Sequence, residues 1–144
     1  MIIVWFNDYN EDVLDEMTIP NTILNTSSSD DDKIRPETRF FSGDWTSLEQ
    51  EFLSREIISE EQKFDLILTS ETIYNTENQS KLVSIFKKFL KTDGEVLVAG
   101  KTFYFGVGGG MRQFEAVVKE SGLSCDTVKT FDTGVKREIL KISL

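Results

Sequence analysis

The chain has 144 residues, enough for one domain with a sizeable core, and its 25 acidic against 16 basic side chains leave a formal net charge of −9. That balance argues against a general nucleic-acid binder, which must present a basic face to phosphates, and is compatible with a small-molecule ligand or a basic protein partner. With no histidine and the single cysteine Cys125, Ser-His-Asp and Cys-His triads and an internal disulfide are excluded, a zinc site is disfavoured, and a reducing compartment fits.

No segment reaches the roughly 20 apolar residues of a membrane span. The opening run Ile2-Ile3-Val4-Trp5-Phe6 lacks the basic start of a signal peptide and turns polar at Asn7-Asp8, so residues 2–6 read as a buried strand. From Glu11 to Asn25, Val13, Leu14 and Met17 recur at helical spacing, and Pro20 is expected to interrupt the helix. Residues 26–37 are polar and read as a surface loop. Their Asp30-Asp31-Asp32 run lacks the alternating spacing and turn glycine of a calcium loop. Arg39-Phe40-Phe41 is a short strand that ends at Ser42-Gly43-Asp44-Trp45, and a helix is expected over Leu48–Ile58 with Leu48, Phe52 and Leu53 inward.

The run Phe64-Asp65-Leu66-Ile67-Leu68 is short and β-rich, which suits a strand buried on both faces, as does Glu95-Val96-Leu97-Val98-Ala99. Between them Thr76-Glu77-Asn78-Gln79 matches a capping box, with Thr76 at the N-cap. Leu82, Val83, Ile85, Phe86, Phe89 and Leu90 then form an apolar helical stripe, and Lys87, Lys88 and Lys91 suit its C-terminal end. Asp93-Gly94 is read as the turn into the next strand. A glycine-rich loop and a helix over about 111–121 follow, with Phe114, Val117 and Val118 inside and Gly122 just past its end. Strands over about 125–131 and 135–143, joined at Asp132-Thr133-Gly134, close the chain as a hairpin. Parallel β-α units ending in an antiparallel hairpin define an α/β fold.

Four patches follow strands, where open α/β sheets bind ligands. Asp8 can accept hydrogen bonds from both hydroxyls of a ribose, although a strand-end aspartate is more often a helix cap. Asp44-Trp45 offers an acceptor beside a flat ring, suited to adenine. A core tryptophan at a loop anchor explains it equally well. Glu71 and Tyr74 place a carboxylate and a phenol at a strand end, and the residues alone leave an active-site acid and a solvated loop acid evenly matched. The stretch from Lys101 to Gly110 fails both phosphate-loop patterns. Its glycines permit close approach to a ligand or a moving lid, and Phe103, Tyr104 and Phe105 suggest an ordered pocket wall.

Ser70-Glu71-Thr72-Ile73-Tyr74-Asn75, followed by Tyr104-Phe105-Gly106-Val107-Gly108-Gly109-Gly110, resembles the protein-histidine methyltransferases. These are seven-β-strand enzymes that use S-adenosylmethionine. Asn7-Asp8-Tyr9-Asn10, Asp15–Asn21 and Phe40–Trp45 agree with the same family, so the resemblance covers almost the whole chain. It implies a three-layer Rossmann-like sheet, mostly parallel, with the antiparallel hairpin at its C-terminal end. It implies a cofactor side at Asp8, Asp44, Trp45 and Ser70, catalytic residues Glu71 and Tyr74, and a substrate side at Tyr104, Phe105, Gly106, Gly108, Gly109 and Gly110. A protein substrate such as a basic ribosomal protein, in the cytoplasm or nucleus, belongs to the same implication; nucleic acid, membrane and metal do not.

The family also carries an earlier, central strand and an acidic-Gly-x-Gly loop for the methionine part of the cofactor. Nothing before Asp8 supplies either, so the expectation is one partial, N-terminally truncated methyltransferase domain over residues 1–144. Two functions follow: a protein-histidine methyltransferase, or a catalytically dead relative that serves as a protein-binding module.

Overall fold

The computed structural model describes residues 2–26, 36–55 and 59–144. The chain divides into two compact units, one up to Phe52 and one from Leu53. The expected surface loop and the last turn of the helix expected to reach Ile58 lie largely outside the described residues.

In the first unit, β1 (Ile3–Asp8) and β2 (Glu37–Ser42) pair in parallel, from Ile3 opposite Glu37 to Asp8 opposite Ser42. Side chains alternate between the two faces of such a ladder. Trp5 therefore meets Phe41 and Phe52 on one face, each with ring centroids 4.9 Å away. The next residue, Phe6, stacks on Phe40 at 5.3 Å. Phe52 comes from α3 (Trp45–Ser54), which buries Leu48 and Phe52. Leu53, expected inward, is exposed, because the next helical residue lies about 100° around the axis.

Pro20 does not break the first helical stretch. Residues Glu11–Val13 (α1), a π-helical turn at Leu14–Thr18 and Ile19–Thr26 (α2) run continuously. Within the π turn the Ile19 amide donates to the Leu14 carbonyl, five residues back. A turn widened in this way sits immediately before the residue that has no amide proton and whose ring crowds the preceding turn.

The second unit contains a 3₁₀ turn (Glu60–Gln62), β3 (Phe64–Ser70), α4 (Thr76–Phe89), β4 (Leu90–Lys101), α5 (Met111–Glu120), β5 (Ser124–Phe131) and β6 (Arg137–Ser143). Its sheet has the order β3-β4-β6-β5: β3 and β4 are parallel, and β6 inserts antiparallel between β4 and β5. The expected hairpin is present. Gly122, with φ +84°, follows the helix end at Ser121 as expected.

The core of this unit is Phe86, Phe89, Phe114, Val96, Val98, Leu140 and Ile142, all essentially inaccessible. Each such side chain contributes about 1.5–3 kcal/mol, so the α4 and α5 phenylalanines dominate the packing. The covering is one-sided. Val96 and Val98 are buried, whereas Leu97 and Ala99 on the alternate face are only half-buried. On β3, Leu66 and Leu68 stand exposed, Leu68 at 68%. The expectation of strands buried on both faces thus fails among the described residues, for β3 most clearly.

Two local readings are also corrected. Asn75, not Thr76, caps α4, its side chain accepting from the Glu77 amide. Gln79 does not reach back to the cap; it is fully buried and donates to the Ile73 carbonyl at 2.8 Å. At Asp93-Gly94 β4 does not run straight: between the pairs Phe64–Leu90 and Leu66–Glu95 it carries three more residues than β3, and regular pairing starts at Glu95. A Cβ at Gly94 would lie 3.0 Å from the carbonyl oxygens of Phe64 and Asp65, so a side chain there would push the strands apart.

Candidate active site

In the first unit, the parallel register brings the carboxyl ends of β1 and β2 together, and the Gly43 amide donates to the Asp8 carbonyl at 3.1 Å. Asp8 is half-buried and its Oδ1 accepts from the Asn10 amide at 2.9 Å. Two residues of separation make this an Asx turn. The cap reading of Asp8 is corrected accordingly: the N-cap position of α1 is Asn10, whose side chain makes no cap bond. The carboxylate leads the chain into the helix through this one oxygen. Asp44 does cap a helix: its Oδ1 accepts from the Ser47 amide at 2.8 Å, and Trp45 opens α3 half-buried.

In the second unit, β3 ends at Ser70, opposite Ala99 of β4. Ser70 is exposed and helps line a groove of about 310 Å³ with Leu68, Thr69, Leu97, Ala99 and Ile139. At Glu71 the backbone enters the left-handed region, φ 57°; among the described residues it is the only non-glycine there. Such a conformation costs of order 1–3 kcal/mol and persists only where surrounding contacts hold it. Those contacts are identifiable. The Glu71 amide donates to the Ala99 carbonyl at 2.9 Å, the hydroxyls of Thr69 and Thr72 lie 2.7 Å apart, Ile73 is fully buried, and Gln79 holds the Ile73 carbonyl. Tyr74 is half-exposed, its ring 6.3 Å from that of Tyr104.

The glycine-rich segment is a closed loop. The Tyr104 amide donates to the Gly109 carbonyl and the Met111 amide to the Thr102 carbonyl, both at 3.1 Å, and Phe103 bridges Gly110. Gly109 is buried against the Glu71–Tyr74 turn, and a Cβ on it would lie 2.4 Å from the Tyr74 carbonyl oxygen. That contact makes the two segments one structure. Gly106 and Gly108 are exposed with φ 81°, and Phe105 at the tip is 87% exposed. Of the three aromatic residues read as a pocket wall, only Tyr104 is buried, at 7%; Phe103 and Phe105 project outward edge to face, centroids 4.9 Å apart.

Two contributors escaped the sequence reading. Glu138, on the buried face of β6, accepts from Thr102 Oγ1 at 3.1 Å and from Arg112 Nη2 at 2.6 Å. One carboxylate thereby ties together both ends of the glycine loop. The readable signal was an acid at period 2 with Leu140 and Ile142. Gln79 hid inside a motif that already accounted for it.

The fold is that of S-adenosylmethionine-dependent, Rossmann-like methyltransferases. At 14% identity the chain superposes on magnesium protoporphyrin IX methyltransferase from Synechocystis PCC 6803 with bound SAH, with a TM-score of 0.62 over 97% of this chain and 63% of that one. A TehB-like SAM-dependent methyltransferase from Corynebacterium glutamicum gives 0.59 at 16% identity over 98% and 67%. Residues 4–104 match the family model described as lysine methyltransferase, and the chain belongs to that family. It is 37% identical to the histidine protein methyltransferase 1 homologs of Bos taurus and Dictyostelium discoideum, over 97% and 98% of this chain. It is 30% identical to histidine protein methyltransferase 1 of Schizosaccharomyces pombe over 94%. The chain spans 42% of the length of the first two relatives and 47% of the third.

Proposed function

We propose that this chain is part of an S-adenosylmethionine-dependent protein methyltransferase that modifies a histidine side chain, its two units serving as parts of one methyltransferase domain. The observation that carries the reading is the Glu71 turn: a carboxylate held in a strained conformation at a strand end, braced by the glycine loop. The family description names lysine, while relatives aligned over nearly the whole chain are named for histidine. Breadth of alignment favours the narrower name.

The residues present fit the cofactor on the chemistry of their donors. Asp8 keeps an oxygen for ribose hydroxyls after accepting from Asn10, and Trp45 supplies a flat, half-buried ring for the adenine. Bound there, the cofactor supplies an electrophilic methyl group on a sulfonium. Glu71 would accept the N–H of one imidazole nitrogen and leave the other with a free lone pair for attack on a methyl. Tyr74, half-exposed beside Glu71 in the chain, would pack against the substrate. The exposed Phe103 and Phe105 give the loop an apolar face for a protein substrate rather than a small molecule.

Ser70 would border the cofactor, and the Tyr104–Gly110 loop the substrate. A basic ribosomal protein is the partner we favour, given the net charge of −9, with a cytoplasmic or nuclear setting. No helix among the described residues is long and apolar enough to cross a membrane. The test is transfer of tritiated methyl from S-adenosylmethionine into an extract of cells lacking the gene. Labelled protein is expected with wild type and not with Glu71→Ala, while binding of S-adenosylhomocysteine by calorimetry changes little. Equal loss of binding and transfer would remove Glu71 from the chemistry.

A further inference from the structure

We propose that Tyr104, rather than lining the substrate pocket, is the positioning residue that fixes the Glu71 carboxylate, and that Gly100 exists to make room for its hydroxyl. The Tyr104 hydroxyl accepts from the Lys101 amide at 3.0 Å and donates to Glu71 Oε2 at 3.0 Å. A phenol oxygen that already receives an amide proton has its own proton left to give, and among the described residues the acceptor it meets is the carboxylate. Burial pushes the phenol above its ordinary pKa, with the Lys101 amide opposing and the Glu71 carboxylate adding to the rise. The hydroxyl therefore keeps its proton throughout the neutral range.

The ring is buried, and Lys101 Nζ lies 5.5 Å from its centroid. A Cβ at Gly100 would sit 2.8 Å from the Tyr104 hydroxyl oxygen. The bond thus reaches across β4 through a place where a side chain has been left out. Glu71 is exposed and would otherwise sample several rotamers. With Oε2 occupied by Tyr104, Oε1 is the oxygen left to accept from a substrate. A residue that merely filled space would need neither the hydroxyl nor the gap at Gly100.

The inference rests on the methyl-transfer reading, and its test separates the two. Rates at saturating cofactor are measured with tritiated S-adenosylmethionine and extract from cells lacking the gene, for wild type, Tyr104→Phe, Glu71→Ala and the double variant. Unfolding constants of the same four proteins are measured in urea. Tyr104→Phe is expected to lower the rate about tenfold, because a catalytic group held loosely spends most of its time out of line, with the cofactor KM within about twofold. Glu71→Ala is expected to transfer no methyl, so the pairing is read in the unfolding constants, where the two changes should be coupled by about fivefold. An unchanged rate in Tyr104→Phe, or additive effects in unfolding, overturns the proposal. Coupled unfolding together with a wild type that transfers no methyl upholds the pairing and condemns the functional reading instead.

Discussion

Glu71 is where conformational cost and the proposed chemistry meet. Its left-handed backbone is tolerated by a network that includes the Ala99 carbonyl, buried Ile73 and the close approach of Gly109. Glycine at 71 would remove the strain. Glu71→Gly relieves that strain but forfeits the Tyr104 hydrogen bond, so urea stability is expected to change by less than about 1 kcal/mol while transfer is abolished. A variant that loses stability and activity together would show that the turn is structural. Gly109→Ala has the opposite signature: its methyl must displace the Tyr74 carbonyl, at a cost of about 1–3 kcal/mol, with transfer falling in step. Cys125 is a useful bystander. Burial pushes its thiol up to about 11, with Glu115 adding to the rise, so the thiolate is scarce at neutral pH. Its modification by a disulfide reagent at pH 7.5 should be slow until denaturant is added; fast reaction in buffer would mean the β5 side of the core opens readily.

Among elements, α4 and the glycine loop are the ones that place the site. The Asn75 side chain both ends the Glu71–Tyr74 turn and starts α4. Asn75→Ala should cost about 1 kcal/mol in unfolding free energy; no change would shift the cap to Thr76, as the sequence alone suggested. Much of the element pattern was legible. The stripe from Leu82 to Phe89, the helix beginning at Met111 and the closing hairpin follow from periodicity and turn residues, and each is present. The misses have physical causes. Pro20 was read by its local preference, which a π turn circumvents. β3 was read as buried on both faces from its apolar run, which does not say how many layers cover it.

The placement of site residues was legible by type but not by role. Glu71 and Tyr104 stood out singly, yet 33 residues separate them, and nothing in spacing announces their hydrogen bond. The same holds for Glu138, whose grip on Thr102 and Arg112 joins positions far apart in sequence. Glu138→Ala is expected to loosen the loop without unfolding the sheet. Chymotrypsin should then cut after Phe105 at least several-fold faster, while the urea midpoint moves little. Equal cleavage rates would assign the loop's order to the Phe103–Gly110 bridge instead.

At the scale of the whole molecule, the chain belongs to the family described as lysine methyltransferase and aligns over 97% and 98% of its length with relatives more than twice as long. The first unit brings Asp8 and Asp44-Trp45 to one strand edge; the second brings Glu71, Tyr104 and the glycine loop to another. The account assigns cofactor recognition to the former and imidazole orientation to the latter. Asp8→Ala should accordingly weaken S-adenosylhomocysteine binding by tenfold or more in calorimetry, whereas Tyr104→Phe should not. The most direct test of the central claim is the identity of the methylated residue. Protein labelled from tritiated S-adenosylmethionine is hydrolysed in acid and its amino acids are separated. The account predicts radioactivity in methylhistidine, absent with Glu71→Ala; label confined to methyllysine, or no label from the wild type, would contradict it.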